Sequence, residues 1–171
     1  MIKIQFRRDT AANWTSNNPT LAAGEIGFET DTKRFKLGSG STAWTALSYR
    51  DLTETTINFI IDGNGAAIST GVKGDVEIPF ACTITQVTTL AAQSGSIVVD
   101  IWKDTYANFP PTVADTITAS AKPTLSTATK AQDSTLTGWT TSIAAGSVLR
   151  FNVDSATTVE RVTVSLKVLK T

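Results

Sequence analysis

The chain has 171 residues, of which 41% are hydrophobic and 18% are charged, so it holds enough apolar side chain for a folded core. Its 15 Lys and Arg residues balance its 15 Asp and Glu residues, and a chain without net positive charge lacks the electrostatic footprint of nonspecific nucleic-acid binding. No run of about eighteen apolar residues marks a membrane-spanning helix. We therefore expect neither nucleic-acid binding nor membrane insertion.

Two residue types restrict the chemistry. The chain has no histidine, which removes the commonest general base and most zinc sites. Its single cysteine, Cys82, has no partner for an internal disulfide and lies in an apolar, strand-like setting, so we expect a buried and unreactive thiol. We predict no metal site and no cofactor. Carboxylate-only catalysis, as in glycosidases, stays open on composition.

The first block of the chain, residues 1–52, contains three predicted strands. Alternation over residues 2–7 places Ile2, Ile4 and Phe6 on one face. A polar stretch over residues 9–18 follows, then a strand over 24–30, a turn at 31–33 and a strand over 34–37. Because the block has few large apolar residues, we expect it to be unable to bury a core alone and to share one with other copies of itself.

The second block, residues 53–171, consists of short strand-like runs, with no window of convincing helical periodicity. In the clearest run, alternation places Val162, Val164, Leu166 and Val168 on one face. Turn signals such as Ser94-Gly95 separate the runs. Such a series predicts an antiparallel β-sandwich or jelly roll. The predicted strands cover 57–61, 72–79, 82–90, 96–103, 115–119, 147–154 and 159–169, with a weaker one at 137–143.

The most distinctive stretch of the chain, residues 18–40, reads NPTLAAGEIGFETDTKRFKLGSG and is followed by Trp44, Leu47 and Tyr49. Together with residues 6–14, it resembles the N-terminal β-prism domain of the phage major tropism determinant, a module of trimeric receptor-binding fibre proteins. Composition and alternation predict an all-β chain. The resemblance implies that residues 1–52 form a small, intertwined, β-prism-like module that anchors and trimerises the protein. The strand series of the second block predicts a jelly-roll sandwich at residues 53–171.

Within the same stretch we predict an assembly motif. Its glycines sit where a chain turns sharply or lets another backbone approach closely, and its two carboxylates bracket a strand and could accept backbone N–H bonds at its ends. A phosphate-binding loop is disfavoured, because neither a Lys-Ser/Thr pair nor a helix follows the glycines. The motif consists of Gly24, Glu25, Gly27, Asp31, Gly38, Gly40 and Trp44.

A second candidate site lies in the C-terminal block. Trp102, Tyr106 and Phe109 could form an aromatic platform for a sugar ring, with Asp100 and Asp104 as hydrogen-bond acceptors. Alternatively, these aromatics cover one end of the sandwich or pack at a subunit interface. The same two carboxylates are the only catalytic candidates. Because nothing marks a substrate cleft beside them, we predict that the chain is not an enzyme.

These observations lead to a hypothesis of function. We expect a phage virion structural protein, a short homotrimeric tail fibre or receptor-binding protein on the surface of the particle. Its N-terminal module would contact other virion proteins, and its C-terminal domain would attach to a host surface glycan or protein. The main alternative is a head fibre or capsid decoration protein without receptor specificity. A polysaccharide depolymerase is the third and weakest interpretation.

Overall fold

The computed structural model describes residues 5–50 and 54–171 of the chain. The chain divides into two compact units, Met1–Leu52 and Thr53–Thr171. One unit contains a three-stranded sheet and the other a seven-stranded sheet, so the all-β class is confirmed. No helix in the described part of the chain has the length and apolar character needed to cross a membrane.

The N-terminal unit is built on a small mixed sheet. Strand β1 (Arg7–Asp9) pairs in parallel with β2 (Ile26–Glu29), and β2 pairs antiparallel with β3 (Phe35–Leu37). A tight turn joins β2 to β3, as predicted, with Lys33 in the left-handed region at φ 62°. A 3₁₀ turn over Trp44–Ala46 follows. Residues 2–4 of the predicted first strand lie outside the described residues.

The N-terminal unit also contains a helix that the sequence did not reveal. Helix α1 (Ala11–Asn17) occupies the predicted polar stretch. Thr10 caps its first turn by accepting a hydrogen bond from the backbone N of Asn13 at 3.2 Å, and Asn18 ends it at φ 40°. Only Trp14 of this helix is buried. One buried residue in two turns provides no apolar periodicity to recognise.

The core of the N-terminal unit is small but closed within a single chain. Trp14, Leu21 and Trp44 form a buried cluster, and the two indole rings stack with centroids 4.2 Å apart and planes 15° apart. Trp14 and Trp44 are only 3% and 1% exposed. The expectation that this block cannot bury its large aromatics alone is therefore wrong for the two tryptophans. Helix α1 carries one ring and the 3₁₀ turn carries the other, and the strand pattern of the sequence predicted neither element.

The C-terminal unit is an antiparallel sheet with the strand order β4-β10-β6-β9-β5, and β7 and β8 also pair with β6. The buried cysteine Cys82 opens β6, and burial raises the pKa of its thiol, as an unreactive thiol requires. The strands are β4 (Glu54–Asp62), β5 (Gly71–Ile78), β6 (Cys82–Thr105), β7 (Thr124–Asp133), β8 (Ser142–Ile143), β9 (Ser147–Thr157) and β10 (Arg161–Lys170).

The long strand β6 curls the sheet around its core. Residues 82–91 pair with β10, and residues 96–105 pair with β9. The curl brings β4 against β9, so that Phe59 stacks on Phe151 with ring centroids 4.2 Å apart. The predicted inward face of β10 is confirmed, because Val162, Val164, Leu166 and Val168 are fully buried.

The predicted turn at Ser94-Gly95 is wrong, because β6 runs through it without a break. Position 95 requires a glycine for a different reason. A Cβ atom at this position would lie 2.6 Å from Thr158 Oγ1 and 2.6 Å from Val159 Cγ2, so the strand passes too close to its neighbour for a side chain. Local composition cannot distinguish such a contact glycine from a turn glycine.

Two further strand predictions differ from the structure. Residues 115–119 are not a strand: Asp115 ends the 3₁₀ turn Val113–Asp115, and Thr116 makes one isolated bridge to Trp102. Strand β7, in contrast, was missed because its residues are polar and rich in Thr. Its side chains are mostly exposed on a strand that pairs only with β6. Such a strand lacks the apolar alternation that identifies a half-buried one.

Candidate functional site

The glycines of the predicted assembly motif bring backbone and rings together within the chain. A Cβ atom at Gly27 would lie 2.4 Å from Cζ3 of Trp44, and one at Gly38 would lie 2.2 Å from the carbonyl oxygen of Ala22. Gly24 and Gly40 both have φ +83°, where a side chain is strained. The close approaches that the sequence suggested are therefore contacts of the unit with itself. Any contact of the motif with another chain remains a prediction.

The two carboxylates of the motif accept backbone hydrogen bonds. Glu25 Oε2 accepts from the N of Ala22 at 2.8 Å. Asp31 Oδ1 accepts from the N of Ala11 at 3.0 Å, and so joins the β2–β3 turn to the start of α1. The bond from Ala11 is the largest cause that lowers the pKa of Asp31. Both residues hold loops of the unit in place.

Sequence reasoning missed a buried polar cluster beneath the motif. Glu29 and Lys36 lie on the buried face of the β2–β3 hairpin and are 1% and 5% exposed. Tyr49 Oη donates to Glu29 Oε1 at 2.6 Å, and Thr32 donates to the other carboxylate oxygen. Lys36 Nζ donates to the carbonyl of Trp44 at 2.9 Å. Desolvation lowers the pKa of Lys36, although the neighbouring charge of Glu29 opposes that shift.

The register of the hairpin is the signal that could have found this cluster. Glu29 lies two residues after the buried Gly27 on β2, and Lys36 pairs directly with Gly27 across the hairpin. Both therefore point to the side occupied by Trp44. The cluster attaches the segment that follows β3 to the hairpin through the bonds of Lys36 and Tyr49.

The N-terminal unit also has an exposed apolar groove. Gln5, Phe6, Arg8 and Phe28 line an open groove of about 380 Å³. Phe6 is 60% exposed. Strand β1, which follows Phe6, pairs only with β2 among the described residues. The groove therefore lies along an edge of the sheet.

In the C-terminal unit, Asp100 and Trp102 of the predicted ligand platform are buried. They lie on the outer face of β6, but the segment between β6 and β7 crosses over them. Asp100 Oδ1 accepts from the hydroxyls of Thr116 and Thr118, both at 2.6 Å, and Oδ2 lies 2.9 Å from Lys122 Nζ. Asp100 is fully buried and Trp102 is 9% exposed. Neither side chain presents a surface to a ligand in this conformation.

Hydrogen bonding keeps Asp100 charged despite its burial. Desolvation acts to raise the pKa of this carboxyl group, but hydrogen bonds from Thr116 and Thr118 and the ammonium group of Lys122 outweigh it and hold the pKa below the ordinary value. Lys122 Nζ also contacts Asp154 Oδ2 at 2.6 Å, and this ion pair with the one to Asp100 raises the pKa of Lys122. The network attaches the crossing segment to the sheet.

Tyr106 and Phe109, the other two members of the predicted platform, are exposed. They belong to residues 104–115, which run from the last two residues of β6 through two 3₁₀ turns and which we call the tip loop. Tyr106 and Phe109 are 80% and 50% exposed. Arg150 lies 5.2 Å from the ring centroid of Phe109. The structure thus separates the four residues into a buried pair and an exposed pair. In the described part of the chain, no group of three or more His, Cys, Asp or Glu side chains could hold a metal ion.

Comparison with known proteins identifies the N-terminal stretch. Residues 4–42 match the family described as the major tropism determinant N-terminal domain. The matched range contains the whole β2–β3 hairpin, helix α1 and six of the seven predicted motif residues, with Trp44 just beyond it. The resemblance inferred from residues 6–49 is confirmed by this match.

Two similar proteins come from phages of Streptococcus pyogenes, and both are named hyaluronoglucosaminidase. The chain is 42% identical over 48 residues to the protein of phage H4489A, which covers 28% of this chain and 13% of that protein. It is 35% identical over 75 residues to the protein of phage H10403, covering 42% of this chain and 22% of that protein. The chain therefore spans less than a quarter of the length of either relative.

One solved structure is also similar in part, that of infectious bursal disease virus strain Gx. It is 12% identical, with 72% of this chain and 42% of that chain covered at a TM-score of 0.23. A similarity at this level carries no argument about the fold or the function of this protein.

The relatives correct one prediction and support another. The prediction that the chain is not an enzyme is contradicted, because both phage relatives carry the name of an enzyme. That prediction considered only whether Asp100 and Asp104 lie in a cleft, which says nothing about the rest of the chain. The phage origin of the relatives agrees with the family match. The chain is a phage virion-associated protein whose residues 4–42 match the major tropism determinant N-terminal domain.

Proposed function

We propose that the chain is a homotrimeric receptor-binding protein of a phage tail. In this proposal the N-terminal unit attaches the protein to other virion proteins, and the C-terminal unit contacts the host cell surface. The observation that carries the proposal is the match of residues 4–42 to the N-terminal domain of the major tropism determinant, a family that is named for tropism. Host choice by a phage is a matter of surface attachment.

The packing of the two units supports this division of labour. The N-terminal unit has a rigid polar and aromatic interior and an open groove beside Phe6, which suits a connector. The C-terminal unit has its own extensive core and an exposed loop with aromatic side chains. Three copies would present three such loops together, and weak individual contacts would then act through a high effective concentration.

The position of the protein on the particle tests the proposal. Antibody raised against residues 53–171 and viewed by electron microscopy should label the tail tip. Purified full-length chain should also compete with the phage for adsorption to host cells. Label spread over the capsid, together with no competition, would instead support a head fibre or capsid decoration protein.

The names of the two phage relatives favour a second candidate function, cleavage of a host polysaccharide by the tail protein that contains this chain. The direct test is release of new reducing ends from hyaluronan by the purified full-length chain, with the chain's adsorption to host cells measured in parallel. Release would support cleavage. Adsorption without release would leave receptor binding as the better account of the C-terminal unit.

A further inference from the structure

We propose that the tip loop, residues 104–115, binds a neutral glycan through Tyr106 and Phe109. This inference rests on the proposed function, since it takes the C-terminal unit as the part that contacts the host. It also goes beyond that function, because it names the residues and the chemical class of the ligand. The proposal starts from exposure: within the described chain, three of the eight exposed large hydrophobic residues are Tyr106, Phe109 and Val113 of this loop.

The loop geometry brings the two aromatic rings to one side. Tyr106–Asn108 is a 3₁₀ turn, and the N of Phe109 donates to the carbonyl of Tyr106 at 3.3 Å. Side chains three residues apart are eclipsed in a 3₁₀ helix. Phe109 directly follows the turn and lies three residues after Tyr106, which is the spacing that places both residues on one side of it, as a platform for the apolar face of a sugar requires.

Local hydrogen bonds hold the loop in this shape before any ligand arrives. At its start, Asp104 Oδ1 accepts from the N of Thr105 at 2.7 Å and from Asn108 Nδ2 at 3.1 Å. At its end, Asp115 Oδ2 accepts from the N and the hydroxyl of Thr112, both at 2.8 Å. A loop fixed in its binding conformation loses little entropy when it binds, which favours recognition.

Arg150 attaches the middle of the loop to the sheet. Its Nε and Nη2 bond both carboxylate oxygens of Asp75 at 2.7 and 3.0 Å, and its Nη1 donates to the carbonyl of Pro111 at 3.3 Å. The guanidinium also lies beside the ring of Phe109. Half of Phe109 nevertheless remains exposed, so the ring is supported by the protein and still open to a ligand.

The charges around the loop indicate a neutral ligand. All three guanidinium nitrogens of Arg150 are engaged, and Lys103 Nζ donates to the carbonyl of Ser142 at 2.9 Å. Asp104 and Asp115 each use one carboxylate oxygen and leave the other without a hydrogen-bond partner among the described residues. Free acceptors suit sugar hydroxyls, whereas a carboxylated or sulfated polymer would be repelled by the negative charges of Asp104 and Asp115.

The test is binding of the full-length chain to single oligosaccharides, measured by calorimetry. The probes are hexasaccharides of glucose, galactose, rhamnose and N-acetylglucosamine, with a hyaluronan hexasaccharide as the anionic comparison. We expect at least one neutral probe to bind more tightly than hyaluronan. Tyr106→Ala and Phe109→Ala should each weaken that binding by about tenfold or more, while Tyr106→Phe should retain it.

Matched controls separate the loop from a general loss of exposed apolar surface. Ile60→Ala truncates a side chain on β4 that is 61% exposed and should leave binding unchanged. Melting temperatures should show that the variants are folded. If Phe109→Ala unfolds the loop, Tyr106→Ala remains decisive, because its side chain is almost free of the protein.

Several outcomes would overturn the inference. These are no binding of any neutral probe, equal or tighter binding of hyaluronan, unchanged binding by Tyr106→Ala, and dissociation of the oligomer by Tyr106→Ala, which would make the loop a self-contact. If the chain still competes with phage for host cells in any of these cases, the proposed function stands and only the glycan loop fails. If a neutral probe binds through Tyr106 but the chain does not compete, the proposed function fails instead.

Discussion

At the scale of single residues, Asp100 determines which surface the C-terminal unit presents. Its carboxylate gathers two threonine hydroxyls and one ammonium group from the segment that crosses β6. This segment covers Trp102 and leads from the tip loop to β7. A buried charge is tolerated only where its partners compensate the lost hydration. The crossing segment therefore both shields Asp100 from water and supplies the hydrogen bonds and the positive charge that replace its hydration.

Asp100→Asn should destabilise the C-terminal unit by about 3 kcal/mol, because it leaves the ammonium of Lys122 facing an amide instead of a buried carboxylate. Chemical denaturation of the full-length chain measures the change. Lys167→Ala is the control, since it breaks an ion pair with Glu54 whose side chains are 40% and 58% exposed. That variant should cost at most about 1 kcal/mol. Equal losses in the two variants would contradict the role of the network.

The same carboxylate predicts a pH dependence. In the folded chain the pKa of Asp100 lies below its ordinary value of 3.8. As pH falls, the unfolded chain therefore binds the proton first, and folding loses stability. The contribution of Asp100 is complete above the unfolded pKa and disappears as pH falls through the folded pKa. Melting temperatures of the wild type and Asp100→Asn between about pH 6 and pH 2 should converge at the acid end; a constant difference would contradict this.

Gly27 tests the tight packing of the N-terminal motif. An alanine Cβ at this position would lie 2.4 Å from Trp44 and 2.9 Å from Leu21, both of which are buried. Gly27→Ala should therefore cost about 1–3 kcal/mol through overpacking, seen as faster hydrogen exchange in residues 5–50. Gly24→Asn is the matched control, because a Cβ there meets nothing within 4 Å and asparagine is among the side chains least strained at a positive φ. Equal exchange in both variants would contradict the packing argument.

At the scale of elements, β10 is central to the curled sheet, with β4 on one side and β6 on the other. Leu166 is fully buried and pairs with Ile57 and Val87 across the two neighbouring strands. Leu166→Ala should lower the free energy of unfolding by about 2–5 kcal/mol. Ser165→Ala, on the opposite face of the same strand, should change it by no more than about 0.5 kcal/mol. A reversed order of the two effects would mean that the register is wrong.

The elements that sequence could predict are those whose pattern is local. The alternation in β10 repeats over one strand, so its buried face could be identified without knowledge of its neighbours. Strand β6 could not be predicted as one strand, because Gly95 resembles a turn residue until its contact with Val159 is known. Helix α1 has a capping threonine but a single buried residue, and so its existence depends on Trp44, thirty positions away.

The candidate site shows the same division. The sequence correctly placed Asp100 and Trp102 within a strand, and both lie on its outer face. It could not show that Thr116 and Thr118 would cover that face, since this contact depends on how a long connection folds back. The shape of the loop that carries Tyr106 and Phe109 depends on hydrogen bonds that Asp104 and Asp115 make to residues close in the sequence. Such bonds leave no periodic pattern in the sequence. The aromatic character of Tyr106 and Phe109 was visible in the sequence, and their arrangement was not.

At the scale of the whole molecule, the case for a trimer cannot rest on a core shared between copies, because Trp14 and Trp44 are buried within one chain. It rests on the exposed edge of the N-terminal sheet. Strand β1 pairs only with β2 among the described residues, and Phe6 beside it is 60% exposed. An open strand edge next to an exposed aromatic ring is a surface that soluble proteins usually cover.

We therefore expect light scattering on the full-length chain to report three copies of the 18.1-kDa chain, about 54 kDa, at micromolar concentration. Phe6→Asp should shift the population toward monomer, because a charge in the groove with Arg8 and Phe28 would be desolvated by a second copy. Ile60→Asp places the same charge at an exposed apolar residue of the C-terminal unit and should leave the mass unchanged. A wild-type chain that is a stable monomer would contradict the trimer. A trimer that persists in Phe6→Asp would show that its interface lies elsewhere than at this edge.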